Sequence, residues 1–308
     1  MTKQFITDTS QRQRVDRDFE RFLYQERGLC KATVLTYLPT VRIFLSEHYE
    51  SGKIDLSRIC ADDVTGFVTQ HAYDHSHGVT CIMTRALRTF LRYLYNQGKV
   101  TTNLAGCVPR VANWQFSTLP RFLQPDEVDR TLKHCSRDTS RGKRDYAILL
   151  LLARLGLRAC EIVGLKLQDI DWEAGDITVR GKGAGQARLP LMQDVGEAIT
   201  TYLKEGRPRC SSQNVFVRHQ KPVAGLGNSS TVSWIVSCAL ERAQISSPHK
   251  GAHLFRHSLA TRMLRQGASL AEIGEILRHR NPQTTAIYAK VDLNALRTLA
   301  RPWPRGCV

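Results

Sequence analysis

The sequence has no long apolar run. Its longest aliphatic stretch, Ala147–Ala153, falls far short of the ~20 residues a membrane helix needs, so no transmembrane span is expected. The opening Met1-Thr2-Lys3-Gln4 leads into Asp16-Arg17-Asp18 without an apolar signal core, and no secretory signal is expected. Paired cysteine spacings are missing too. The nine cysteines are an odd number scattered from Cys30 to Cys307 with no C-x-x-C, as expected for free thiols in a reducing cytoplasm. There is no G-x-x-x-x-G-K-[ST], which removes a Walker-type nucleotide site. The glycines from Gly181 to Gly185 lie between two strand patterns, so they are no Rossmann phosphate loop. His71/His75 and His253/His257 have i, i+4 spacing but lack the Glu of H-E-x-x-H, and no acidic pair marks a two-metal nuclease. Acid is itself scarce: 28 Asp+Glu against 44 Lys+Arg leave a net charge of +16. Arginine outnumbers lysine, which suits bidentate phosphate contact, and a chain this basic is expected to meet a polyanion.

With 308 residues, 42% of them hydrophobic and 23% charged, the chain has material for two domains, each with its own core. The first hundred residues read as a small helical unit. Val15–Arg27 carries Phe19, Phe22 and Leu23 on one face and stops at Gly28. A second pattern starts near Thr33, where Pro39 is expected either to kink the helix or to mark its start. A third runs from Ala61 to about His71. In the fourth, Met83, Leu87, Phe90 and Leu94 repeat at helical spacing up to Gly98, while Arg85, Arg88 and Arg92 form a basic stripe suited to DNA. Periodicity lapses from Thr101 to Leu123. The expected division is a helical DNA-binding domain over 1–108, a linker over 109–122 and a second domain over 123–308. In the second domain, Pro125-Asp126-Glu127 opens a helix, and Tyr146–Leu155 is an apolar helix ended by Gly156. Arg158 starts a short helix to Leu165, and Asp176–Arg180 and Ala187–Leu191 form a hairpin. Helical pieces follow at about Thr231–Ala243, Ala252–Gln266, Ser269–Leu277, Pro282–Tyr288 and Leu293–Ala300. The fold class expected is mainly α with a small antiparallel sheet.

A basic constellation stands out in this second domain. His253-Leu254-Phe255-Arg256-His257 puts His253 and Arg256 one helical turn apart. Leu277-Arg278-His279 precedes Thr284-Thr285-Ala286-Ile287-Tyr288, Gly156-Leu157-Arg158-Ala159-Cys160-Glu161-Ile162 lies upstream, and Lys182 sits at the hairpin tip. Together and in this order, H-L-F-R-H, H-x8-Y, G-L-R-A-C-E-I and the lysine-bearing hairpin resemble the tyrosine recombinases, the phage integrase family. The wording of Ala260–Leu264 and of the Pro302-Trp303-Pro304 tail is similar to the mobile-element branch.

The resemblance implies a helical core-binding (SAM-like) domain and an α+β catalytic domain that close as a C-shaped clamp on double-stranded DNA with an inverted-repeat core site. It implies a cytoplasmic enzyme with no metal or other cofactor, acting as a homo-tetramer or as a hetero-tetramer with related recombinases. Tyr288 would be the nucleophile, forming a 3′-phosphotyrosyl link. Arg158 and Arg256 would neutralise the phosphate, and Lys182 would be the general acid. His253 would orient or accept a proton near the nucleophile, His279 would bond a non-bridging oxygen, and Glu161 would buttress the cluster. The apolar Leu293, Leu296 and Leu299 would dock on a neighbouring protomer. Two residues depart from the family pattern. Arg278 stands where Gly is common, and either adds a phosphate contact or disturbs a tight turn; Lys290 replaces a frequent His. The alternatives are a type IB topoisomerase-like nicking-closing enzyme and a catalytically silent DNA-binding partner.

Overall fold

The computed structural model describes residues 2–49, 55–112, 120–181 and 185–291. The chain divides into two units, 1–115 and 116–308. The first holds α1 (Thr2–Gln25), α2 (Lys31–His48), α3 (Ala61–Asp74) and α4 (His77–Asn96). Its core takes Phe19 and Leu23 from α1, Leu38 and Phe44 from α2, Phe67 from α3, and Leu87, Phe90 and Leu94 from α4. Phe19 meets Phe90 edge-on with ring centroids 5.0 Å apart, a favourable aromatic geometry.

Pro39 does not start α2, which begins at Lys31 and runs through it. The proline is exposed, as is Leu35, whose carbonyl loses its helical partner, so water can take that bond. Val34, Leu38, Val41, Phe44 and Leu45 are buried on both sides of the proline and carry the helix past it. Past the lapse of periodicity at Thr101, Leu104, Ala105 and Val108 join the core of the first unit.

The second unit is built around α6 (Ser140–Leu155), whose Ala147–Leu152 segment is buried on every side. Around it lie α5 (Pro125–Lys133), α7 (Ala159–Gly164), α8 (Gln193–Thr201), α9 (Ser229–Arg242) and α10 (Ala252–Arg265). Three antiparallel strands, β1 (Ile170–Asp171), β2 (Asp176–Arg180) and β3 (Gln186–Pro190), pair in the order β1-β2-β3, with Thr178 opposite Arg188. Ile177 and Val179 point into the core, and Gly181 N–H bonds Gly185 O at 2.9 Å where the hairpin turns. The last elements are α11 (Leu270–Ile276) and two short 3₁₀ turns, Pro282–Thr284 and Ala286–Val291. Here Leu259, Ala260, Ile273, Leu277 and Tyr288 form a separate small cluster. The expected helix at Leu293–Ala300, with its docking leucines, lies outside the described residues, as does Lys182.

Gly156 ends α6 in the left-handed region, at φ 57°. A Cβ there would sit 2.8 Å from Leu277 Cδ2 and 3.0 Å from Leu259 Cδ2. Gly156→Ala therefore meets both a disfavoured backbone and a clash with the small cluster. We expect a loss of ~2–3 kcal/mol in denaturant unfolding, and an unchanged midpoint would contradict this packing.

Candidate active site

The helix break at Gly156 positions the first cation. Leu157 is buried, and Arg158 is the N-cap of α7, with Glu161 at its third position. Glu161 reaches back to accept the Arg158 N–H at 2.9 Å, as a capping box requires, and its other oxygen accepts Arg158 Nη1–H at 2.7 Å. Arg158 Nη2–H continues to the Arg278 carbonyl at 3.0 Å. The Glu161 side chain is 1% exposed. Burial alone would raise its pKa, but the Arg158 N–H and the guanidiniums of Arg278 and Arg158 outweigh it and hold the group below the usual carboxylate range.

The second cation comes from α10. Arg256 is buried, and its fork donates to Gly156 O at 2.6 Å and to Leu277 O. Burial, with Arg158 and Arg278 nearby, lowers its pKa to about 10, so it stays charged at neutral pH. His253, one turn earlier, is exposed at the surface. Partial desolvation and the fields of Arg256 and Arg158 lower its pKa.

His279 follows the Leu277–Arg278 turn, with Nδ1 2.7 Å from Thr285 Oγ1. Its pKa falls to about 4 through desolvation and the surrounding cations, Arg256 and Arg158 first. Three residues beyond Thr285, Tyr288 is 1% exposed, and its hydroxyl is hydrogen-bonded to His257 Nδ1 at 2.8 Å. Burial pushes Tyr288 up to about 12 against the opposing pull of Arg256. Burial, then His253 and Arg256, push His257 down to about 4. Both groups are thus neutral at pH 7 and share one proton, which the phenol does not surrender in this arrangement.

The turn 277–279 is therefore where the sequence-predicted residues meet. It accepts from Arg158 and from Arg256, presents His279, and leads within nine residues to Tyr288. Lys182 lies outside the described residues. Arg85 and Arg92 are exposed on α4, whereas Arg88 is partly buried and donates to Val108 O at 3.1 Å and Pro109 O at 3.4 Å, within its own unit.

The sequence gives His257 no role and marks Arg278 only as a departure from the family pattern. His257 has a visible signal, its i+4 position on the face of His253. Its ring lies 6.4 Å from that of His253, and its Nδ1 goes to Tyr288. Arg278 adopts φ 56° and turns its guanidinium onto Glu161 at 2.9 Å, a contact that nothing in its sequence position announces.

The low pKa of His257 and His279 has a consequence for stability. In the unfolded chain both titrate near the ordinary ~6.5. Between about pH 6.5 and 4 the unfolded state binds more protons, so stability is intact above that window and falls as pH drops through it. We expect a loss on the order of 2 kcal/mol between pH 7 and 5, less of it from the more open His279, read by urea unfolding. A His257→Asn variant should lose less over the same interval; equal losses would contradict the buried neutral imidazole.

A model of the phage integrase family matches residues 121–294. Over 286 residues, 93% of this chain and 70% of the relative, the sequence is 52% identical to the putative integrase/recombinase y4rA of Sinorhizobium fredii. It is 30% identical to the tyrosine recombinase XerD of Listeria monocytogenes, covering 89% of this chain and 93% of that one. Among solved structures, the fold is shared with the XerH site-specific recombinase bound to its palindromic difH substrate after cleavage. That match has a TM-score of 0.72 and 20% identity over 94% of this chain and 84% of that one. A lambda integrase tetramer bound to a Holliday junction matches with a TM-score of 0.65 and 18% identity over 88% and 75%.

Proposed function

Because the chain belongs to the phage integrase family, the tyrosine recombinases, we propose that it cuts and rejoins DNA strands through a covalent link between Tyr288 and a 3′ phosphate. One observation carries this reading. Arg158, Arg256 and His279, from three separated stretches, are tied to a single turn nine residues ahead of a tyrosine.

The chemistry follows from charge. As the Tyr288 oxygen attacks, a P–O(Tyr) bond forms, the P–O5′ bond breaks, and charge builds on the non-bridging oxygens. The Arg158 and Arg256 forks and the His279 ring are the donors for those oxygens. Lys182 protonates the departing 5′ oxygen, and His253 takes or orients the phenol proton. The phosphotyrosine retains the bond energy, so a 5′ hydroxyl from another strand reverses the step and rejoins DNA without ATP. Metal is not needed for charge neutralisation, because the guanidiniums supply it.

In the present arrangement the phenol is buried against His257. Cleavage therefore requires the 282–291 segment to turn it towards the phosphate, and that segment is held by short 3₁₀ turns and a small apolar cluster rather than by the main core. Exchange between two duplexes calls for several protomers. We read the working form as a homo- or hetero-tetramer on an inverted-repeat core site, serving integration and excision of a mobile element in the cytoplasm. The likeness to an integrase/recombinase supports that role.

The test is a two-site strand-exchange assay in EDTA without ATP, using duplexes selected from a random pool for tight binding. Joined recombinant products are expected. Relaxation of supercoils without joining would favour a type IB nicking-closing enzyme, and binding without cleavage a silent partner.

A further inference from the structure

Arg278 is held in a conformation that an arginine adopts only at a cost. Its φ of 56° lies in the left-handed region, disfavoured by ~1–2 kcal/mol for a residue with a Cβ, and glycine would occupy it freely. Its side chain is only 12% exposed, with Nε buried and lacking a partner among the described residues. What holds it is a set of contacts: Nη2–H donates to Glu161 Oε2 at 2.9 Å, Nη1–H donates to Ile276 O at 3.0 Å, and its own carbonyl receives Arg158 Nη2–H. A strained, largely buried cation sharing a carboxylate with a candidate catalytic arginine asks for a role.

Charge supplies one. Glu161 is ionised, and alone with Arg158 it would make a neutral pair, leaving Arg256 as the uncompensated arginine facing the phosphate. With Arg278 on the other carboxylate oxygen, the three groups carry one net positive charge between them. Arg158 then spends two of its five N–H donors on Glu161 and the Arg278 carbonyl, and its side chain stays 28% exposed.

We propose that Arg278 is a positioning residue. It neutralises Glu161, so that Arg158 presents its charge and remaining donors to the scissile phosphate instead of being drawn back onto the carboxylate. The proposal rests on the recombinase reading above. It differs from a direct phosphate contact by Arg278, because its effect runs through Glu161.

The experiment is a double-mutant cycle on the full-length protein. It measures the single-turnover rate of adduct formation on a nicked suicide duplex at saturating protein, together with gel-shift affinity for the same duplex. Arg278→Gly relieves the positive φ and should fold. Its cleavage rate is expected to fall by about ten- to a hundredfold, the effect of one screened unit charge at close range, while affinity changes by less than about threefold. In the Glu161→Gln background the same change should cost less than about threefold, because no uncompensated carboxylate remains. Arg278→Lys, which keeps the charge, should retain most of the rate. Full-rate cleavage by Arg278→Gly would overturn the proposal and leave the recombinase reading standing. So would a loss of the same size in the Glu161→Gln background, or a parallel loss of DNA affinity, which would place Arg278 on the turn or on the DNA itself. Wild-type protein that forms no adduct would overturn the recombinase reading, and this assignment with it.

Discussion

On the recombinase reading, Tyr288→Phe is expected to bind DNA with an affinity within about threefold of the parent and to form no covalent adduct at all, because affinity would rest on many distributed backbone contacts while attack would need one oxygen. The substitution is nearly isosteric. The ring stays packed with Leu259, Ala260, Ile273 and Leu277, and what disappears is the hydroxyl bonded to His257 Nδ1. Its effect on folding should therefore be small, about 1 kcal/mol for a lost hydrogen bond. A gel-shift series run beside a denaturing gel on the nicked duplex separates the two roles. Affinity lost together with the adduct would make Tyr288 a structural residue of the small apolar cluster.

The second large effect belongs to Arg256. This guanidinium is buried and bridges the end of α6 to the turn before His279 through Gly156 O and Leu277 O, so it ties the fold together at the place where the proposed chemistry needs a donor. Arg256→Lys keeps a charge but gives up the planar fork. Cleavage should fall by about a hundred- to a thousandfold, the size seen when one preorganised donor to a developing oxyanion is removed, while affinity falls by less than about tenfold. Stability should drop by ~1–3 kcal/mol, because a buried carbonyl loses its donor. The rate comparison therefore belongs well below the melting temperature. Affinity and rate falling in proportion would place Arg256 among the general DNA contacts.

Much of the fold is written in periodicity. Met83, Leu87, Phe90 and Leu94 mark α4 and alternation marks β2, because burial of one face decides those elements, while Gly156 marks the end of α6 because the helix stops in the left-handed region. α8 went unread although Val195, Ala198, Ile199 and Tyr202 have helical spacing and are all buried. β1 is two residues long, too short for any pattern. After Thr101 the residues Asn103, Gly106 and Pro109 break any periodic element. Whether Leu104 and Val108 fold back is a tertiary matter that local sequence does not encode.

The site shows the same division. Arg158, Glu161, Arg256, His279 and Tyr288 stand in motifs whose order along the chain is informative. Their pairings depend on how distant segments meet. The commitment of Arg88 to two carbonyls, the grip of His257 on the phenol and the inward turn of Arg278 all belong to that second kind.

The central claim is that the phenol of Tyr288, nine residues beyond the turn that gathers Arg158, Arg256 and His279, is the group that takes the phosphate. Protease digestion of the trapped protein–DNA adduct, followed by mass spectrometry, tests it most directly. We predict a single modified peptide carrying a nucleotide 3′-phosphate on Tyr288. A phosphate mapped to any other residue, or a trapped complex with no covalent nucleotide, would contradict the account.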